Sequence, residues 1–183
     1  MAGFLGLFRR GRHERAGFQL YTTAVSAARD PFLYAHCGVP DTLDGRFDLI
    51  GLHAFLVIHR LTREPEPGPT LAQAVFDAMF SDMDINLREL GVGDLSVGRK
   101  VKEMWDAFHG RSKVYTTALE ADDPEVLEAA ITRNVWRGAE PPAGAPAALA
   151  RVVRAQIAHL ATQPLTALVK GEVRFLPARE AEQ

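Results

Sequence analysis

The residues able to do chemistry are few in this chain: six histidines, a single cysteine, and a run of acidic side chains between positions 77 and 94. Asp77, Asp84 and Glu89, taken with His53 or His109, have the composition of a two-metal carboxylate site inside a helical bundle. Such sites draw on Glu-x-x-His pairs within one helix, and the sequence contains none. No metal and no cofactor are therefore expected, and a chelator should leave the helices intact. His53 and His59 are six residues apart, on different faces of one helix, and His53 reads as a core histidine. Cys37 follows His36 directly, a spacing that specifies no nucleophile and base. Ser26, Ser81, Ser96 and Ser112 sit in no Gly-x-Ser-x-Gly turn. Gly91, Gly93 and Gly98 imitate a phosphate loop, yet Lys100-Val101 replaces the Gly-Lys-Ser/Thr ending, and a helical rather than a strand pattern precedes them. What survives is an ordered polar stripe: Gln73, Asp77, Ser81, Asp84 and Arg88 recur in steps of four and three. Asp84 and Arg88 are placed for an ion pair along one helix.

The elements that must carry this stripe are helices. Leu71, Val75, Met79, Met83, Leu87 and Leu90 form the apolar face opposite it, with Thr70 and Gln73 placed as a capping box and Gly91 as a left-handed stop. Upstream, Leu43, Phe47, Ile50, Ala54, Val57 and Leu61 recur at helical spacing, and Leu49, Leu52 and Leu56 widen the stripe. The segment from Asp41 to Leu61 is thus expected to be the most buried helix, ended by Pro65, Pro67, Gly68 and Pro69. Shorter helices are expected at Phe18–Arg29 and Pro31–Cys37. After Asp94 or Ser96 as a cap, Val97, Val101, Met104, Trp105 and Phe108 should face inward until Gly110 breaks the helix. A short helix with Tyr115 and Leu119 follows, Asp123-Pro124 opens a helix over Val126–Trp136, and Ala147–Thr162 is amphipathic beyond a Gly/Ala/Pro linker at 138–146. The fold class is all-α: a single-domain, irregular bundle of about six to eight helices, with no internal repeat.

Length and composition agree. A chain of 183 residues, 47% hydrophobic, can bury a full core without disulfides, and one cysteine excludes a disulfide scaffold within the chain. No apolar run approaches the ~20 residues that span a bilayer. The net charge of −2 hides an asymmetry: residues 1–15 carry four arginines against one glutamate, leaving the remainder at −5. An acidic body is no footprint for DNA. In the basic head, Phe4, Leu5 and Phe8 precede Arg9, Arg10 and Arg12, an order unlike a signal peptide. Residues 1–17 read either as a flexible head or as a segment resting on an anionic membrane.

Four stretches carry a resemblance. Gly38-Val-Pro-Asp-Thr-Leu-Asp-Gly-Arg46, Leu52-His-Ala-Phe-Leu-Val57, Ser81-Asp-Met-Asp-Ile-Asn-Leu-Arg-Glu-Leu-Gly-Val-Gly-Asp94 and Phe108-His-Gly-Arg-Ser-Lys-Val-Tyr115, followed by Arg133-Asn-Val135, are similar to the ubiquinol-cytochrome c chaperone family, in the family's order. The similarity covers residues 18–136, inside a helical domain at 18–176 followed by a tail at 177–183. It implies an assembly chaperone and not an enzyme, one that binds newly made cytochrome b and supports biogenesis of ubiquinol-cytochrome c reductase (complex III) in the respiratory chain. The bacterial branch is the nearer match, since no transit peptide is seen. Implied partners are cytochrome b or another membrane-protein client, the ribosome or a small accessory chaperone, and the membrane periphery. Implied localisation is cytoplasmic, including the cytoplasmic face of the inner membrane. Motif residues Asp82, Asp84, Arg88, Glu89 and Asp94 on or just past the polar stripe, with Asp77, Arg111 and Tyr115, form the expected partner surface, with Arg111 and Tyr115 folding back toward it. The alternative is a helical enzyme or carrier holding a quinone- or haem-related ligand in an enclosed pocket, where a chaperone would expose a broad mixed face.

Overall fold

The computed structural model describes residues 2–121 and 123–183, with side chains from Gly11 onward. Among the described residues there are nine helices, six of them seven residues or longer, and no strand. Helix α1 (Ala2–Ala28) leads through α2 (Pro31–Ala35) into the central α3 (Leu43–Thr62). Then come α4 (Gly68–Glu89), α5 (Asp94–Glu120), α6 (Pro124–Ile131), one wider π-turn at Thr132–Trp136, α7 (Ala145–Ala161), α8 (Leu165–Leu168) and α9 (Ala178–Glu182). Helix α3 is buried on most sides, touching α1, α4, α5, α7 and the π-turn. Its Leu49, Leu52, Leu56 and Leu61 are wholly enclosed, each burial worth roughly 1.5–3 kcal/mol. On α1 a Cβ at Gly17 would lie 2.6 Å from the Ala74 backbone of α4, so the missing side chain lets these two helices touch.

Several local expectations are revised. The first helix starts at Ala2, well before Phe18. Thr42, not Asp41, caps α3: its hydroxyl accepts from Gly45 N at 3.1 Å, while Asp41 takes Arg46 at 2.7 Å. Thr70 and Gln73 form no capping box, because Pro69 lets α4 begin at Gly68; Thr70 donates to Glu66 and Gln73 to Asp77. Asp94 and Ser96 are both inside α5, with Gly93 at the cap. Gly110 does not break that helix; its Cβ position faces open space, and an interior glycine costs only ~1 kcal/mol. Trp105, expected inside, is 42% exposed, with its ring tilted over His109 at 3.8 Å between centroids and nearly perpendicular to Phe76.

Asp48 is a second, unforeseen centre. It is 3% exposed in side-chain terms, receives Arg111 at 2.5 Å, and is gripped by Arg137 through Nε and Nη2 at 2.8 and 2.7 Å. Arg137 reaches it from a left-handed backbone (φ 50°) at the end of the π-turn, so one carboxylate ties α3, α5 and the turn together. Beyond α8, an extended strap at 172–177 leads into α9. Two glutamines of the α7 region treat it as a strand neighbour would. Gln156 donates to Leu176 O and accepts from Leu176 N, at 2.7 and 3.0 Å; Gln163 does the same with Arg174, at 2.7 and 2.9 Å. Asp30 both caps α2 and accepts from Ala178 N at 3.0 Å.

Candidate partner-binding surface

The second half of α4 presents two different polar faces. On the first, Arg88 joins Asp84 (2.7 and 3.3 Å) to Asp94 (2.5 Å) across the turn between α4 and α5. The turn closes because Gly91 adopts φ 79°, which lets Val92 N reach Leu87 O at 3.0 Å. The Arg88 hydrogen bond holds the Asp84 carboxyl below its usual range. Asp77 accepts from Gln73 at 2.7 Å. Much of the acidic stripe is therefore already partnered along its own helix.

The second face opens onto a groove of about 970 Å³ between the end of α1, α2, the start of α3 and the end of α4. Asp82, Asn86 and Glu89 line its α4 wall. Tyr21 donates its hydroxyl to Asp82 Oδ2 at 2.7 Å, and burial together with that carboxylate pushes the phenol well above its ordinary range. Apolar Phe47, Ile50 and Met83 form the floor, and Leu43 and Leu90 stand at the edge with nearly 60% of their surface in solvent. Arg29 and the Arg46–Asp41 ion pair also line the groove. Such a lining suits an amphipathic protein segment: aliphatic and aromatic contact in the middle, charges of both signs around it. The groove is open, unlike the enclosed apolar pocket expected of a quinone or haem carrier. Among the described residues no three His, Cys, Asp or Glu side chains gather as a metal set.

The structure brings together Asp84, Arg88 and Asp94, and places Asp82 and Glu89 in the adjoining groove. Arg111 and Tyr115 do not join them. Arg111 turns inward to Asp48, and Tyr115 is buried against Phe55 with ring centroids 5.5 Å apart. Met79 and Met83 belong to the core, as helical spacing indicates, with Met83 also flooring the groove. Groove residues Arg29, Tyr34, Leu43 and Arg46 escaped the sequence reading, although Leu43 and Arg46 lie within the first motif. Of the head residues, the side chains of Phe4, Leu5, Phe8, Arg9 and Arg10 lie outside the described ones; Arg12 is exposed on α1. No described helix is long and apolar enough to cross a membrane.

Comparison with known proteins matches these features to relatives. Residues 35–175 fit the family described as Ubiquinol-cytochrome C chaperone, reaching further toward the C-terminus than the motifs do. Ubiquinol-cytochrome c reductase complex assembly factor 1 is 24% identical in Xenopus laevis over 135 residues and 26% identical in Homo sapiens over 167, covering 73% and 90% of this chain. The chain spans 67% of the frog protein's length and 55% of the human one's. The crystal structure of the Cbp3 homolog from Brucella abortus superposes with a TM-score of 0.83 at 36% identity, covering 97% of this chain and 98% of that one. With more than half its length matched, the chain belongs to the ubiquinol-cytochrome c chaperone family.

Proposed function

We propose that this protein is a complex III assembly chaperone that holds newly made cytochrome b through the groove between α1, α2, α3 and α4. The observation that carries this reading is the groove's lining: Leu43 and Leu90 exposed at its edge, Met83 and Phe47 within it, and Asp82 and Glu89 along one wall. Membrane proteins keep lysine and arginine in their cytoplasmic loops, next to apolar spans. An acidic wall beside exposed leucines complements such a junction in charge and in apolarity. The protein acts here by binding, not catalysis, at the cytoplasmic face of the inner membrane, where the ribosome or a small accessory chaperone would hand the client over.

The test uses Glu89→Lys and Leu90→Ser together, since both side chains are exposed and neither supports the core. Folding stability should change by no more than ~0.5 kcal/mol. In-cell crosslinking to cytochrome b, and the haem spectrum of assembled complex III, should both fall. A folded double variant with undiminished crosslinks would remove the groove from the reading. Asp84→Lys is a poorer probe, because it places a cation against Arg88 and perturbs the α4–α5 turn.

A further inference from the structure

A second groove, of about 720 Å³, lies where the first half of α1 meets Pro67 and α8. Its walls are mostly aliphatic, including Leu165 and Val169, and three cations rim it: Arg12, Arg15 and Lys170. About half of the arginines with described side chains hold a carboxylate: Arg46, Arg60, Arg63, Arg88, Arg99, Arg111, Arg137 and Arg151 each have one within salt-bridge distance. These three have none among the described residues, and Arg15 reaches only Gly11 O, at 3.2 Å. Lys170 lies where the chain turns back beside α1: Gly171 has φ 83°, and a Cβ there would fall against the Gln19 side chain.

We propose that this groove docks the protein on a bilayer surface bearing anionic phospholipid headgroups. Charge complementarity selects the occupant: three cations with no carboxylate partner among the described residues, around aliphatic side chains on a chain whose remainder is net negative, meet phosphate groups with acyl chain close beneath them. Upstream in the sequence the same helix carries Phe4, Leu5, Leu7 and Phe8 followed by Arg9 and Arg10, apolar and cationic residue types again side by side. The inference is independent of the client groove, which is lined by later residues of α1 and by other helices.

The experiment is flotation of the full chain with vesicles of phosphatidylcholine alone and of phosphatidylcholine containing phosphatidylglycerol. The parent should float with the anionic vesicles only, less so as salt rises. Each basic side chain near the surface contributes about fivefold, so Arg12→Gln, Arg15→Gln and Lys170→Gln together should lower partitioning ~100-fold with an unchanged melting transition. Should the triple variant melt early, Lys170→Gln alone, on an exposed side chain outside α1, should still cost about fivefold. Equal flotation with neutral vesicles, or a folded triple variant that floats like the parent, overturns the proposal. So does a melting shift with inorganic phosphate in the absence of vesicle binding, which would make this a small-anion site. Glu89→Lys should float as the parent does, which separates this result from that of the client groove.

Discussion

His53 should make this protein acid-sensitive in a defined window. It is almost completely buried in α3, its Nδ1 lies 2.9 Å from Leu49 O, and the Phe175 ring of the strap covers it at 5.5 Å between centroids. Burial drives its pKa down from 6.5 to about 4, outweighing the helix carbonyl and Asp30, which favour the charged form. The unfolded chain therefore takes up this proton first as pH falls. Stability is whole above 6.5, declines by ~1.4 kcal/mol per pH unit below it, and levels off below about 4. Between about pH 7.5 and about pH 5 the loss from this one residue is roughly 2 kcal/mol, or ~4–8 °C in melting temperature for a chain of this size. His59 contributes with the same sign, because burial and then Arg63 hold its pKa near 4, and the paired carboxylates of Asp41, Asp84 and Glu182 lose their contributions at still lower pH. The clean measurement is a difference. Urea unfolding of the parent and of His53→Phe at both pH values cancels every other group, and the parent's pH dependence should exceed the variant's by roughly 2 kcal/mol. Parallel losses in the two proteins, within ~0.5 kcal/mol, would show that His53 is hydrated or charged in the folded state and refute the burial argument.

Asp48→Asn leaves Arg111 and Arg137 facing each other across a neutral amide, and should cost ~3–5 kcal/mol in chemical denaturation, against under ~0.5 kcal/mol for Glu103→Gln on the exposed face of α5. Gly17→Leu should push α1 off α4 and lower the melting temperature by several degrees, since the new side chain begins inside the Ala74 backbone contact.

The long elements were legible because their patterns are long. Leu43 to Leu61 repeats an apolar residue every three or four positions over five turns, and no loop sustains that. The helix-end signals were weaker. Pro69 overrode Thr70 as a start signal, and Gly110 lacked the neighbours that turn a glycine into a stop. Asp48 had no local signal at all. It sits between Phe47 and Leu49, where a carboxylate reads as a solvent position, and its two partners are 63 and 89 residues away in sequence. The π-turn is equally silent, since Arg137 occupies a left-handed conformation that glycine would announce, and the Asp48 it grips is 89 residues away in sequence. At the candidate surface the spacing located Asp84 and Arg88 on the outer face of α4, whereas Asp82 and Glu89 of the groove wall stood out through the resembling motif and Asn86 not at all. The opposite wall comes from α1, α2 and α3, and periodicity within each says nothing of how they meet.

The strap at 172–177 also sets an order of events during synthesis. Each group engaged by the strap and the start of α9 lies earlier in the chain: Asp30 before α2, His53 in α3, Gln156 and Gln163 near α7. On the ribosome these are made first, and they must wait for it. Until residues past 171 emerge, His53 lacks the Phe175 ring over it and the Gln156 amide lacks both its backbone partners. The nascent bundle therefore carries an open seam over its central helix. The glutamine contacts span only 20 and 11 residues, but Phe175 on His53 and Ala178 on Asp30 reach back more than a hundred, so this chaperone completes its own core late, by the slow long-range route.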